Sequence, residues 1–122
     1  MAARTCWCRV CQFIGAGSAT VDVVFPSAAV HIEGALTDFE SKADSGNVMQ
    51  RRFCPTCGTH VAIQSDARPH LFSVRAGTLD DPEIGKPQLT IWTSMAPRWA
   101  PIDPRIPHDE KQPPPPMLSP KA

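Results

Sequence analysis

Five cysteines stand in two clusters: Cys6, Cys8 and Cys11 near the amino end, and Cys54 with Cys57 in the middle. Clustered thiols without a secretory signal point to metal ligation rather than disulfides. Structural zinc takes four tetrahedral ligands; catalytic zinc takes three from the protein and keeps one position open. Cys54-Pro55-Thr56-Cys57 is a strong half-site, because a Cys-x-x-Cys turn lets two thiolates reach one ion with little strain. Gly58 after it suits the knuckle turn. Cys6-Trp7-Cys8-Arg9-Val10-Cys11 is less usual: three thiolates in six residues can fill three corners of one tetrahedron. Two arrangements compete on spacing alone. In one, Cys8, Cys11, Cys54 and Cys57 make a single four-thiolate site and Cys6 is spare. In the other, Cys6, Cys8 and Cys11 hold an open zinc, and Cys54 with Cys57 belong to a second site.

Short strands have to position these residues. The reading finds them at 19–25, 30–33, 48–53, 59–64, 71–74 and 89–93, each bounded by Gly, Pro or Cys and several alternating cleanly. Six such runs at near-regular spacing suggest antiparallel sheets and a mainly β fold. No long stretch keeps a period of about 3.6 residues, so at most one helical turn follows Cys11. From Pro97 the prolines crowd, ending in the run Pro113 to Pro116. They cannot donate ladder hydrogen bonds or continue a helix. Trp99, Ile102 and Ile106 suit packing on the domain. The expected boundaries are a domain over 1–107 and a disordered Pro-rich tail over 108–122.

Composition narrows the function classes. The 122 residues are 42% hydrophobic and 20% charged, a globular balance. Lys+Arg 12 equals Asp+Glu 12, so no net charge draws the chain to nucleic acid or an anionic membrane. No apolar run approaches the ~18–20 residues of a span, and the first residues lack a signal-peptide core. The expectation is a soluble cytoplasmic protein, small enough to profit from a metal staple.

The residues also carry a resemblance. Cys-x-Cys-x-x-Cys-Gln, followed by Gly15, Gly17, Ser18 and Phe25-Pro26, resembles the zinc segment of the glutathione-dependent formaldehyde-activating enzyme family. Arg52 to His60, Val74 to Asp81, and Ile91-Trp92 with Trp99 are similar to its later motifs, in order. The resemblance implies a small zinc-binding fold of folded-over antiparallel β-sheets, with one or two Zn2+. It implies that Cys6, Cys8 and Cys11 form the reactive site, and that Cys54 and Cys57 are half of a structural one. The family's early Cys-x-Cys has no counterpart among the five residues before Cys6. That leaves Cys54 and Cys57 two partners short: the structural zinc is lost, completed by water or His60, or shared with Cys6, Cys8 or Cys11. Trp7 also replaces the small polar or imidazole residue often found inside the first motif.

The activity implied is addition of the thiol of glutathione to formaldehyde or a related small aldehyde, a carbon–sulfur lyase-type reaction giving S-(hydroxymethyl)glutathione. A free thiol, with a pKa of about 8.5, is mostly protonated at neutral pH, and zinc favours the thiolate nucleophile. Three cysteine thiolates leave such a site with one net negative charge, so it serves mainly to hold and orient the incoming thiol. Arg51, Arg52 and Arg75 are candidates for the carboxylates of glutathione, against the plainer reading of solvated strand-face charges. His60 reads as a strand residue or a ligand. His31 and His70 read as half-exposed strand residues, His108 as a solvent-facing tail residue, and Asp80-Asp81-Pro82 as a turn. Trp92 and Trp99 read as packing. The rival function is a non-catalytic, zinc-stabilised binding module with a single four-cysteine site. Partners are a small-molecule thiol and an aldehyde; the oligomeric state is left open.

Overall fold

A computed structural model describes residues 1–118. The fold is mainly β, as expected. One seven-stranded sheet runs in the order β3-β4-β5-β6-β2-β1-β7. Its strands are β1 (Ala2–Cys6), β2 (Thr20–Pro26), β3 (Thr37–Lys42), β4 (Val48–Phe53), β5 (His60–Ser65), β6 (Leu71–Arg75) and β7 (Leu89–Ile91), with one helix, α1 (Arg9–Ile14).

Three departures from the expected elements matter. The strand expected at 30–33 is irregular chain following a 3-10 turn at Ser27–Ala29. Its place in the sheet is taken by β3, whose burial pattern is almost wholly exposed and whose Glu and Lys hide the strand signal. β1 was not expected at all: Arg4 and Thr5 dilute its apolar pattern, and it is held by two neighbours. It pairs antiparallel with β2 and parallel with β7, where Cys6 sits opposite Ile91. The sheet is therefore not wholly antiparallel.

Side chains alternate across a strand, so a period of two selects what each face carries. One face presents Arg4 and Cys6 of β1, Asp22 and Val24 of β2, Ser73 and Arg75 of β6, and Arg51 of β4 around a common cleft. On the opposite side Val23, Ala62 and Phe72 are buried. Fully burying a Val, Ile or Phe side chain contributes about 1.5–3 kcal/mol, so these apolar positions hold the frame on which the polar face stands.

The chain beyond β7 stays attached. His108 bridges Thr90 in parallel. The Asp109 amide donates to the Thr90 carbonyl at 2.9 Å, and the Trp92 indole donates to Gln112 at 3.1 Å. We keep residue 107 as the proposed domain end, with these bonds tying on the start of the Pro-rich segment. Residues 119–122 of the expected tail lie outside the described residues. Among the described residues no helix is long and apolar enough to cross a membrane.

Candidate metal centre

β1 ends at Cys6, α1 begins after Cys8, and Cys11 lies on the first turn of that helix. The backbone reversal between strand and helix brings the three sulfurs within 4.8 Å of one another, all buried. Cys8 is the residue before the helix, and its sulfur accepts from the Cys11 amide at 3.4 Å. A thiol standing where Ser or Asp usually caps is thereby oriented by the helix it starts. Gln12 fixes the loop from below. Its amide donates to the carbonyls of Trp7 at 2.7 Å and Met95 at 3.0 Å. Gly15 closes the helix, where a Cβ would stand 2.7 Å from the Ser18 carbonyl oxygen.

The surroundings divide into an apolar and a charged side. Cys6, Cys8 and Cys11 share a buried cluster with Ile91 and Trp92, and Val10, Leu89 and Met95 pack against it. Trp92 adopts left-handed backbone, φ 59 and ψ 35, uncommon for a bulky residue and a feature that gathers at functional sites. On the other side Arg75 donates to Asp22 at 2.7 Å and to His60 Nδ1 at 2.8 Å, with both members of the ion pair buried.

These neighbours distribute the protons. Hydrogen bonds from the Cys6 and Cys8 thiols, with the Thr20 hydroxyl and the Arg75 charge, hold Cys11 down to about 2. The same hydrogen bond to Cys11 pushes Cys8 up to about 11. Cys6 is pushed up as well, by its bonds to Cys11 and Cys8 and by burial. The three sulfurs thus share protons through mutual hydrogen bonds, and burial opposes their further ionisation. A divalent cation would supply the charge that makes the second and third ionisations favourable. Cys6, Cys8 and Cys11 could hold a metal ion, and three convergent buried sulfurs are a donor set that suits zinc.

Cys54 and Cys57 are not part of this cluster. They stand on a turn, Cys54 half-buried and Cys57 exposed, closed by the Gly58 amide donating to the Cys54 carbonyl at 2.9 Å. Gly58 has φ +76, which explains glycine there. The Cys57 sulfur lies 3.1 Å from the Thr59 hydroxyl, which with the Thr59 amide and Cys54 lowers its pKa. Among the described residues, the trio at 6, 8 and 11 is the only group of three or more such ligands. The four-thiolate arrangement of Cys8, Cys11, Cys54 and Cys57 is not assembled.

The three arginines separate. Arg75 is committed to Asp22 and His60. Arg52 pairs with Asp38 at 3.3 Å and lies over the Phe72 ring. Arg51 is buried and lines the tripod cleft, as do Arg4 and Arg68. The cleft holds about 80 Å³ of free volume and opens to solvent. The sequence reading assigned no site role to Thr20 or Asp22, and named Ile91 only as part of a motif. Asp22 carried a signal: a carboxylate inside Val21-Asp22-Val23-Val24 must be buried and paired.

The family model for the glutathione-dependent formaldehyde-activating enzyme matches residues 1–95. No match was found among curated proteins. The matched stretch contains both cysteine clusters and every strand of the sheet, and on that ground the chain belongs to the glutathione-dependent formaldehyde-activating enzyme family.

Proposed function

We propose that the protein adds a small-molecule thiol, glutathione first among them, to formaldehyde or a similarly small aldehyde, with Cys6, Cys8 and Cys11 holding a zinc ion. The observation that carries this reading is the buried three-sulfur cluster at the base of an open cleft. When bound, zinc supplies stabilisation of the incoming thiol as its anion. The chain's residues do the rest. Gln12 and the α1 turn fix the sulfurs. Arg75, beside Cys11, offsets negative charge that accumulates when a further thiolate arrives, and Asp22 keeps that guanidinium in place. Ile91 and Trp92 exclude water from the sulfurs on one side.

In the addition, a bond forms between the thiol sulfur and the carbonyl carbon, the carbonyl π bond breaks, and the thiol's proton ends on oxygen. Nothing is oxidised or reduced. One water needs about 10–15 Å³, so some 80 Å³ admits a thiol head and a one- or two-carbon aldehyde. The peptide body of glutathione then lies in the open mouth, near Arg4 and Arg68. Five free cysteines suit a reducing compartment, and we place the activity in the cytoplasm.

Formaldehyde consumption with glutathione, read together with metal content, tests the proposal. The zinc-loaded protein is expected to consume formaldehyde only with thiol present, and Cys6→Ser to lose at least about 10²-fold while keeping its fold. Full activity in Cys6→Ser refutes the site. A folded, zinc-loaded protein that leaves formaldehyde untouched favours a non-catalytic zinc module.

A further inference from the structure

Beside the tripod cleft lies a second depression, open to solvent, with about 630 Å³ of free volume. Such a volume falls in the range of small-molecule sites, about 300–1,000 Å³. Its walls are Val10, Phe13 and Ile14 of α1 with Phe39 of β3 and Phe53 of β4. Phe13 is 78% exposed and Phe39 58%. Exposed aromatic rings around one concavity are unusual on a protein surface.

Four polar side chains complete the lining: Ser41 and Thr59, and the two that carry the argument, Arg51 and His60. Arg51 is only 5% exposed. Its Nε donates to the Ser41 hydroxyl at 2.7 Å, but its Nη1 is buried with no partner. Among the described residues no carboxylate pairs with it. The Arg75 guanidinium, always protonated, donates to His60 Nδ1, which places the proton of the neutral ring on Nε2. That Nε2 is likewise buried without a partner. Buried donors are costly to leave without acceptors, a charged one most of all. An acceptor brought by a ligand would recover that free energy.

We propose that this groove binds a small amphipathic carboxylate, its apolar body against Phe13, Phe39 and Phe53 and its carboxylate on Arg51 and His60 Nε2–H. One guanidinium beside one neutral donor matches a single negative charge, and the apolar walls disfavour a polar or multiply charged ligand. The site uses none of the three clustered cysteines and does not depend on the thiol-addition reading. Arg51 lines both the groove and the cleft, so the two ligands share a wall.

Calorimetric titration of the full zinc-supplemented chain with octanoate and with octanamide, its uncharged counterpart, tests the proposal. Octanoate is expected to bind saturably, one per chain, and about tenfold or more tighter than octanamide. Phe39→Ala, at an exposed position, is expected to weaken both ligands several-fold. Arg51→Met is expected to bring them to equal affinity, with circular dichroism checking the fold. Equal binding of acid and amide by the unsubstituted protein, no saturable binding of octanoate, or unchanged octanoate affinity in Phe39→Ala would each overturn it. Should Arg51→Met not fold, the acid–amide difference and Phe39→Ala still decide.

Discussion

Arg51 and Arg52 are neighbours in the chain and strangers in space. The pleat sends one into the cleft and the other across to Asp38 and Phe72. Both stood as equal candidates for recognising a carboxylate, because residue type alone does not say which face of β4 is buried. The cysteines were more legible: spacing within one turn of chain determines how far apart sulfurs can be, and the tripod is assembled from such local spacing. What stayed hidden was the long-range partner, the Asp22–Arg75–His60 chain, whose members come from three strands. It has a pH signature. Burial first, then the Arg75 and Arg51 charges, lowers His60 from its ordinary value near 6.5 to about 4. Folding therefore keeps a proton off a ring that the unfolded chain would protonate. The contribution is complete above about pH 6.5 and is lost as pH falls toward 4. Because His60 is only half-buried, the expected loss between pH 7 and 5 is about 1 kcal/mol after allowance for solvent screening. The unfolding free energy of the wild type, from urea titration, should fall by that much more than that of His60→Gln over the same interval. Parallel pH profiles would show that the ring's environment does not set this dependence.

At the scale of elements, α1 decides the centre. Its six residues are too few for periodicity to reveal, which is why only a turn was expected after Cys11, whereas the helix begins at Arg9. The helix starts where a thiol caps it and ends where Gly15, Ala16 and Gly17 turn the chain, two of them at positive φ. Gln12 couples this element to the segment after β7. Gln12→Ala removes the donor serving both the Trp7 and Met95 carbonyls, leaving buried acceptors unpaired at roughly 1–3 kcal/mol. Supporting residues of this kind typically change metal affinity about 10–100-fold. Competition with a chromophoric chelator should show weaker zinc retention in Gln12→Ala than in wild type, with the same stoichiometry. Unchanged retention would mean the sulfurs orient themselves.

For the whole molecule, order along the chain and order in the sheet disagree. β5 and β6 were readable, β5 because it alternates and β6 because it is a short, largely apolar run ended by Ala76-Gly77. β1 and β3 were not: one is polar because it lines the cleft, the other because it is an exposed edge, and edge strands carry charge for that reason. The segment following residue 107 behaves similarly. Its prolines announce an unpaired tail, yet Asp109, Glu110 and Gln112 bond to β7 and the turn after it. Deleting 108–122 should therefore lower the melting temperature on the order of 5–10 °C in a scanning fluorimetry comparison, through several lost hydrogen bonds and an uncovered Trp92. An unchanged melting point would return these residues to the status of a passive end. The parallel pairing of Cys6 with Ile91 reaches further. A chain emerging from the ribosome exposes its first three thiols long before the strand that shelters them has been synthesised. Closing that long loop is entropically costly and slow relative to local contacts. During translation the nascent thiols are thus open to oxidants and stray copper, and their protection arrives only with the last strand.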